Sequence, residues 1–267
     1  ALLGRQAPPA ALPRAAPFPA AARGWYGRGP VLCFGDSLTA GWCHGGERMA
    51  PFTARLEQRL ARGAQEGQEA LEAPRIANAG VPAESTGEML RRFPQVLCGG
   101  AAAPEGGRRA QAGIVVILGG TNDLAFTDLS AEEVADNLVA LHTQAHAAGA
   151  QTAVLTIPDV TKYREGSFLR EHYIDDKLDR VNAALRGFAR QNPGQTFLVD
   201  VAAALPQATP RSPSADMRLW EPDGLHFSEE GYKAIGDLLA EAQLPPAPVH
   251  SCPRAQAAEV SLTSAIV

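Results

Sequence analysis

A serine and an Asp-x-x-His pair are the residues in this chain whose types and spacing could do chemistry together. Ser37 follows Gly35 and Asp36, and His226 stands three residues after Asp223 in the segment EPDGLHF. A serine hydroxyl is a poor nucleophile at neutral pH and needs an adjacent base. An imidazole can be that base, and a carboxylate three residues earlier on a turn can fix its tautomer and stabilise the imidazolium. These residues predict a nucleophilic serine, Ser37, served by His226 and Asp223.

Each of these signals is weak when it is taken singly. A serine after Gly-Asp is common in turns, and a histidine on a loop is more often a surface residue than a catalyst. The first turn contains neither GxGxxG nor GxxxxGK[ST], and GxSxG occurs nowhere in the chain. A nucleotide-binding loop and a nucleophile elbow of the α/β-hydrolase type are therefore both disfavoured.

The segments that must position these residues alternate between two periodicities. Short apolar runs predict strands at 31–34, 75–78, 114–118, 152–157 and 196–199. Leucines and alanines at helical spacing predict helices at 51–65, 85–97, 131–148, 175–191 and 229–241. Such alternation implies right-handed βαβ crossovers. The predicted fold class is α/β, with a five-stranded parallel sheet and helices on both of its faces.

Three polar segments follow the first three predicted strands directly. They read GDSLTAG, NAGVPAEST and GGTNDL in chain order. In open parallel sheets, ligands bind beyond the carboxyl ends of the strands, where the strand order reverses. The three segments therefore predict a site at that edge, with Ser37 at the start of a helical turn whose N–H groups favour negative charge.

Three blocks of this sequence together resemble the SGNH, or GDSL-type, hydrolase and esterase superfamily. FGDSLTAG at 34–41, GGTND at 119–123 and DGLH at 223–226 look like its blocks I, III and V, and the resemblance spans residues 31 to about 240. It implies a flavodoxin-like, three-layer α/β/α sandwich. It also implies a serine esterase that works through an acyl-enzyme, without an organic cofactor or a metal ion.

The same resemblance implies an oxyanion hole with three donors. They are the backbone N–H of Ser37, a backbone N–H in the second block, and the side-chain amide of Asn122. Without the other blocks, Asn122 would be interpreted as a turn residue after a strand. The second block departs from the family, because Ala83 stands where a glycine is usual, and Gly80 is an earlier glycine. Alanine can supply the N–H without strain only if its φ angle is negative.

The substrate is expected to be a small ester of short to medium acyl chain, because no strongly apolar lid is visible. Residues next to the motifs are candidates for a substrate pocket, namely Asp36, Leu38, Gly80, Gly120, Leu124 and Trp220. Aromatic residues at 158–173 could also line it, although such residues often cover the edge of a core. Acyl transfer, carbohydrate O-acetyl ester or thioester hydrolysis, and a catalytically silent binding module stay open as alternatives.

Composition restricts the partners of the chain. The 267 residues carry a net charge of −5 without a basic cluster, which makes nucleic acid an unlikely partner. The apolar runs are much shorter than the roughly 20 residues of a membrane-spanning helix. The four cysteines have no CxxC pairing, so a zinc site is not expected, although one disulfide stays open.

The ends of the chain differ in composition from its centre. Residues 1–29 are rich in Pro and Ala and are expected to form an arm, which is compatible with the remnant of a targeting segment but indicates no compartment. The hydrolase domain is predicted at 30–244, and a tail that begins with a Pro-rich break at 245–267.

Overall fold

A sheet of five parallel strands lies at the centre of the computed structural model, which describes residues 24–66, 72–97, 112–159, 171–207 and 215–246. In chain order the strands are β1 Val31–Gly35, β2 Ile76–Gly80, β3 Ile114–Leu118, β4 Gln151–Leu155 and β5 Thr196–Val199. Their order across the sheet is β2-β1-β3-β4-β5, and all neighbouring pairs are parallel. This is the flavodoxin-like order, with a topological switch point between β1 and β3.

Helices connect the strands within the described residues. They are α1 Ser37–Ala40, α2 Phe52–Glu66, α3 Thr86–Leu97, α4 Thr121–Phe126, α5 Ala131–Ala147, α6 Glu171–Gln191, α7 Val201–Ala204 and α8 Glu229–Glu241. The five long helices are those that the sequence predicts. The predicted bounds shift by a few residues, since β2 runs to Gly80 and α6 begins at Glu171. Between α1 and α2, the two-residue strands Trp42–Cys43 and Arg48–Met49 pair to form a hairpin, called the Trp42 hairpin below.

Successive residues of each strand face opposite layers of helices. In β1, Val31 and Cys33 pack in the same core as residues of α2 and α8, whereas Leu32 and Phe34 pack with α3, α5 and α6. All five residues of β1 and of β3 are buried, as is typical of a parallel sheet covered on both faces. The predicted three-layer α/β/α sandwich is therefore confirmed.

Serine caps begin two of the long helices. At α5, the Ser130 side chain accepts a hydrogen bond from the Glu133 N–H at 3.2 Å, and the Glu133 carboxylate accepts one from the Ser130 N–H at 2.8 Å. This is a capping box. At α8, the Ser228 hydroxyl accepts a hydrogen bond from the Gly231 N–H at 3.3 Å. Because Ser228 stands two residues after His226, its cap also fixes the chain that leaves the Asp-x-x-His segment.

Residues on both sides of the predicted domain pack against it. Trp25 is fully buried and meets Phe197 of β5 edge-on, with ring centroids 5.7 Å apart. The Arg28 guanidinium donates to the Pro245 carbonyl at 2.6 Å. The packed body therefore begins before residue 30 and includes the first residues of the predicted tail, while residues 1–23 and 247–267 lie outside the described ranges.

Two further observations concern the described ranges only. None of their helices combines the length and the apolar character that crossing a membrane requires. Cys33 and Cys43 are both buried free thiols. Cys98 and Cys252 lie outside these ranges, so the disulfide that the sequence left open is not tested.

Candidate active site

The carboxyl ends of β1, β2 and β3 meet at the topological switch point. Gly35, the last residue of β1, pairs with Gly80 of β2 on one side and with Leu118 of β3 on the other. A Cβ atom at Gly35 would lie 1.8 Å from the Leu118 carbonyl oxygen, so only glycine allows this close approach. The three polar segments of the sequence therefore leave the sheet side by side.

Ser37 is the first residue of the short helix α1, directly beyond β1. Asp36 caps this helix, because its Oδ1 atom accepts a hydrogen bond from the Leu38 N–H at 2.9 Å. Gly41 ends the helix in the left-handed conformation, with φ of 83°. This tight turn leaves Ser37 7% exposed. Its N–H has no hydrogen-bond partner among the described residues.

A chain of hydrogen bonds joins Ser37 to a histidine and an aspartate. The Ser37 Oγ lies 3.0 Å from Nε2 of His226, and Nδ1 of the same ring lies 2.7 Å from Oδ2 of Asp223. The structure thus brings Ser37 to His226, which stands 189 positions later in the sequence. In this arrangement the imidazole can accept the serine proton, while the carboxylate holds the other ring nitrogen.

The Asp223 carboxylate is fixed by its own turn. Its Oδ1 accepts hydrogen bonds from the N–H groups of Leu225 and His226, at 2.8 and 2.9 Å. Burial raises the pKa of this carboxyl, but the hydrogen bonds from the His226 ring and from the two N–H groups outweigh burial, and the pKa is lowered overall. The ionised form that an imidazolium needs beside it is therefore favoured.

Contacts outside the turn hold the Asp-x-x-His segment in place. The Glu221 N–H donates to the His226 carbonyl at 2.9 Å, and Trp220 forms an antiparallel bridge with Phe227. The Gln207 side-chain amide donates to the Gly224 carbonyl at 2.7 Å. The position of the imidazole is thus set by main-chain hydrogen bonds on both sides of it.

Segment 81–84 follows β2 and lies beside α4, and it is called the oxyanion loop below after the role that the family resemblance implies for it. The Asn122 side-chain amide donates to the Glu84 carbonyl at 3.0 Å. Asp123 accepts hydrogen bonds from the N–H and the hydroxyl of Thr86, both at 2.8 Å, and so caps α3 from another element. The two blocks that carry Ala83 and Asn122 are therefore locked to each other.

The N–H groups of the oxyanion loop differ in whether they have a hydrogen-bond partner. The Val81 N–H donates to the Gly35 carbonyl, the Glu84 N–H to the Val81 carbonyl, and Pro82 has no N–H. Within the described residues, the Ala83 N–H has no partner. The N–H of the earlier glycine, Gly80, donates to Asn78 at 2.9 Å and so is already engaged.

Ala83 has a φ angle of +64°. This is the left-handed region, in which a Cβ atom is strained and glycine is not. The sequence left open whether the φ angle of Ala83 is negative or positive, and the positive angle means that the alanine is strained. The glycine that is usual in the family is explained by this conformation, and alanine occupies it here at an energetic cost.

An arginine that sequence reasoning missed braces the oxyanion loop. Arg92 of α3 forms an ion pair with Glu84, with Nε 2.7 Å from Oε1. The guanidinium carbon of Arg92 lies 4.2 Å above the Phe34 ring, and one of its amino groups donates to the Gly35 carbonyl at 3.4 Å. Arg92 therefore contacts both the loop of Ala83 and the strand that leads to Ser37. The available signal was its position eight residues after Glu84, on the helix that begins just beyond that residue.

Most of the residues that the sequence suggests for a substrate pocket are buried, and the pocket itself stays a prediction. Asp36 and Leu38 are fully buried, and Leu124 and Trp220 are about 5% exposed in the two hydrophobic cores. The two glycines serve close packing: a Cβ at Gly80 would lie 2.2 Å from the Ala40 nitrogen, and one at Gly120 2.8 Å from the Ile157 side chain. Most of the predicted aromatic segment, 160–170, lies outside the described residues.

Asp36 is a buried carboxyl that the hydrogen-bond chain does not include. Burial raises its pKa to about 7. Its Oδ2 atom has no hydrogen-bond partner among the described residues. In the same ranges, no group of three or more His, Cys, Asp or Glu side chains could hold a metal ion.

Solved structures with this fold include several hydrolases. The lipase/acylhydrolase from Enterococcus faecalis is 21% identical with a TM-score of 0.57, and the alignment covers 79% of this chain and 93% of that one. A putative lipolytic protein of the G-D-S-L family from Desulfitobacterium hafniense is 18% identical, with a TM-score of 0.58 and coverage of 79% and 97%. The psychrotrophic esterase EstA from Pseudoalteromonas sp. is 18% identical, with a TM-score of 0.55 and coverage of 80% and 95%.

Sequence comparison is more specific than the likeness of fold. A search of the curated proteins finds no match to this chain. The sequence model of the GDSL-like lipase/acylhydrolase family, however, matches residues 33–234. This span contains Ser37, Asn122, Asp223 and His226, and it covers most of the sequence. The chain therefore belongs to the GDSL-like lipase/acylhydrolase family.

Proposed function

We propose that the protein is a serine esterase that hydrolyses carboxylic esters of short to medium acyl chain through an acyl-enzyme. The observation that carries the proposal is the hydrogen-bond chain from Ser37 through His226 to Asp223, with unpartnered N–H groups beside it. Reactive serines need an adjacent base that is itself oriented by a third group. At the switch point, His226 is the adjacent base of Ser37 and Asp223 is the group that orients it.

Acylation begins when His226 Nε2 accepts the Ser37 proton and Oγ attacks the ester carbonyl carbon. The carbonyl π electrons move to the oxygen, which becomes an oxyanion in a tetrahedral intermediate. When the intermediate collapses, the bond to the alcohol oxygen breaks and the imidazolium gives its proton to that oxygen. Water then repeats the sequence on the acyl-enzyme and releases the carboxylic acid and free Ser37.

Three donors are proposed to stabilise the oxyanion. They are the N–H groups of Ser37 and Ala83, neither of which has a partner among the described residues, and the side-chain amide of Asn122. Asn122 uses one amide hydrogen on the Glu84 carbonyl, which leaves the other for substrate. Such donors accelerate the reaction because they are fixed where charge develops and need no reorganisation.

The proposed limit on acyl length rests on the few large apolar side chains that are exposed on the segments after β1, β2 and β3. Among the described residues, the large apolar side chains that are exposed on the segments beyond β1, β2 and β3 are Met49, Val81 and Phe126, at 46, 41 and 63%. These three side chains could contact a short acyl chain, and the described parts of these segments expose no further large apolar side chain for a longer one.

A panel of p-nitrophenyl esters from acetate to palmitate tests the reaction class and the acyl length together. We expect kcat/KM to be highest for the short and medium chains and to fall for palmitate. Ser37→Ala should be inactive on all of them. A maximum at palmitate would contradict the proposed acyl length, and wild-type turnover in Ser37→Ala would contradict the proposed nucleophile.

A further inference from the structure

The indole ring of Trp42 lies against the imidazole ring of His226. The ring centroids are 5.8 Å apart, and the ring planes are inclined by 30°. This distance falls in the range of about 4.5–7 Å that offset-stacked aromatic pairs adopt. Trp42 belongs neither to the hydrogen-bond chain nor to the oxyanion loop, and the motifs of the sequence gave it no role.

The Trp42 hairpin fixes the indole in this place. The Tyr232 hydroxyl of α8 donates to the Trp42 carbonyl at 2.8 Å, and Tyr232 is itself fully buried. Trp42 also pairs with Met49 across the hairpin. At Gly46, which has a φ of +91°, a Cβ atom would lie 2.3 Å from the indole ring. The backbone of the hairpin is therefore shaped to hold a large flat side chain at this position.

We propose that Trp42 is a positioning residue that holds His226 and stabilises its imidazolium during turnover. The inference rests on the proposed esterase function of Ser37 and His226. The His226 ring is neutral before it accepts the serine proton and positively charged in the transition state. The face of an indole attracts a cation, and it does so more strongly than it attracts a neutral ring. An interaction that strengthens in the transition state lowers the barrier.

Trp42 and Asp223 support the imidazole from different directions. Asp223 accepts a hydrogen bond from Nδ1 along the plane of the ring, at 2.7 Å. Trp42 stacks on the ring, where no hydrogen bond can form. Asp223 is 41% exposed at its side chain, so water weakens its field, and a second support on a stacked face adds to it.

The effect of Trp42 on the His226 imidazolium must be distinguished from the effects of charged groups near the two rings. Asp36 and Asp223 both act electrostatically on His226. On the Trp42 hairpin, Nε2 of His44 lies 3.4 Å from a carboxylate oxygen of Glu229 in α8, and Arg48 forms an ion pair with the same carboxylate. Glu221 lies within electrostatic reach of Cys43 beside Trp42. His44 is the critical control, because it is a second histidine only two residues from the indole.

Two substitutions remove the aromatic face of Trp42 to different extents. Trp42→Phe keeps a smaller aromatic face, and Trp42→Leu keeps apolar bulk without one. We expect kcat to fall about 3-fold in the first and by up to about 30-fold in the second, with little change in KM. The acidic limb of kcat/KM should move to lower pH in Trp42→Leu, since the protonated ring loses a stabilising contact. A residue that only packs the hairpin would not move that limb.

Tryptophan emission provides a readout that does not require turnover. A protonated imidazole in contact with an indole quenches its fluorescence, so emission of the wild-type protein should drop as pH falls through the acidic limb. The same drop should appear in Ser37→Ala and be lost in Trp42→Phe and in His226→Gln. It should persist in Trp25→Phe, which removes the indole that packs against Phe197 of β5. It should also persist in His44→Asn, since asparagine tolerates the φ of 51° at that position.

The outcomes distinguish the proposal from the esterase function on which it rests. A pH-dependent drop that disappears in His44→Asn, or persists in His226→Gln, would overturn the proposal by assigning the quenching to another group. A folded Trp42→Leu enzyme with wild-type kcat and an unmoved acidic limb would overturn it as well. Absence of ester hydrolysis in the wild type would instead overturn the esterase function, whereas the emission titration would still test the contact.

Discussion

The acid–base segment and the oxyanion loop reach the same site by different physical means. Around Asp223 and His226, local main-chain hydrogen bonds satisfy the side chains, and the positive φ in the turn falls on a glycine, Gly224. The oxyanion loop instead places an alanine at a φ of +64° and is braced from α3 and α4. The first region is held by its own local hydrogen bonds, whereas the second combines a strained conformation with contacts from other elements.

The acid–base side should show the largest effect. We expect Ser37→Ala, His226→Ala and the double variant each to lower kcat by about 10⁴-fold or more, with the double variant no worse than the single ones, because nucleophile and base act as one unit. Steady-state kinetics with circular dichroism as a check on folding measure this. Multiplicative losses in the double variant would mean that the two residues act independently.

The second-largest loss of kcat is expected from removal of the Ala83 N–H in the oxyanion loop. Proline would not be a clean probe, because it fixes φ near −65° and Ala83 stands at +64°. Replacement of Ala83 by lactic acid turns the amide into an ester, which removes the N–H and keeps the methyl group. We expect kcat to fall about 10²- to 10³-fold, with a smaller change in KM.

The same chemical replacement at a neighbouring position is the matched control. A lactic acid at Ala79, in β2, also removes one N–H but lies outside the oxyanion loop. We expect it to affect stability rather than kcat. Equal effects on kcat at both positions would show that the Ala83 N–H has no special role in the transition state.

The bracing of the loop predicts a smaller loss for Arg92→Ala. Glu84 is 8% exposed, so removal of its partner leaves a buried carboxylate unpaired. We expect a loss of about 1–3 kcal/mol in the free energy of unfolding, and a decrease in kcat as the oxyanion loop loosens. The double variant Glu84→Gln/Arg92→Met should recover stability but not kcat. Full recovery of kcat as well would show that Arg92 matters only as a countercharge.

Asp36 predicts a dependence of stability on pH. The pKa of its carboxyl rises from 3.8 to about 7 on burial. Between these values the folded protein holds a proton that the unfolded chain has released, so this group makes the free energy of unfolding fall as pH rises. Asp36→Asn keeps an acceptor for the Leu38 N–H and removes the titration. Urea denaturation at about pH 5 and about pH 8 should show the variant gaining stability relative to wild type at the higher pH. An equal difference at both pH values would contradict this prediction.

The smallest expected effect is a gain in stability from Ala83→Gly. Relief of the left-handed strain contributes about 1–2 kcal/mol, and the added freedom of the unfolded chain offsets about 0.4–1 kcal/mol of it. The N–H remains, so kcat should not change. The control Ala77→Gly lies on an exposed position of β2 with an ordinary φ and should destabilise the protein. A loss of stability in both variants would mean that Ala83 is not strained.

The sequence predicts those features of the fold and the site that depend on residues close together in the chain. The periodicities predict the sheet, its layers and the long helices, because they record which faces are buried. Asp223 and His226 are three residues apart on one turn, so their contact follows from spacing. Asp36 and Leu38 stand beside Ser37 in sequence, yet both side chains are fully buried, which adjacency in sequence does not reveal.

The remaining features arise from contacts between distant segments. The sequence cannot give the sign of φ at Ala83, because the neighbouring residue Glu84 is held by Asn122 and Arg92, which belong to other elements. Trp42 meets His226 only when the hairpin after α1 folds against the turn before α8. Sequence spacing predicts neither contact, since the residues that meet belong to different elements.

The central claim is that Ser37 is the nucleophile and that His226 activates it. A fluorophosphonate ester, added to the protein at neutral pH and followed by intact-mass and peptide mass measurements, tests this most directly. We expect a single adduct on the peptide that contains Ser37 in the wild type, much slower labelling in His226→Ala, and none in Ser37→Ala. An adduct at another serine, or labelling of Ser37 at an equal rate without His226, would contradict the claim.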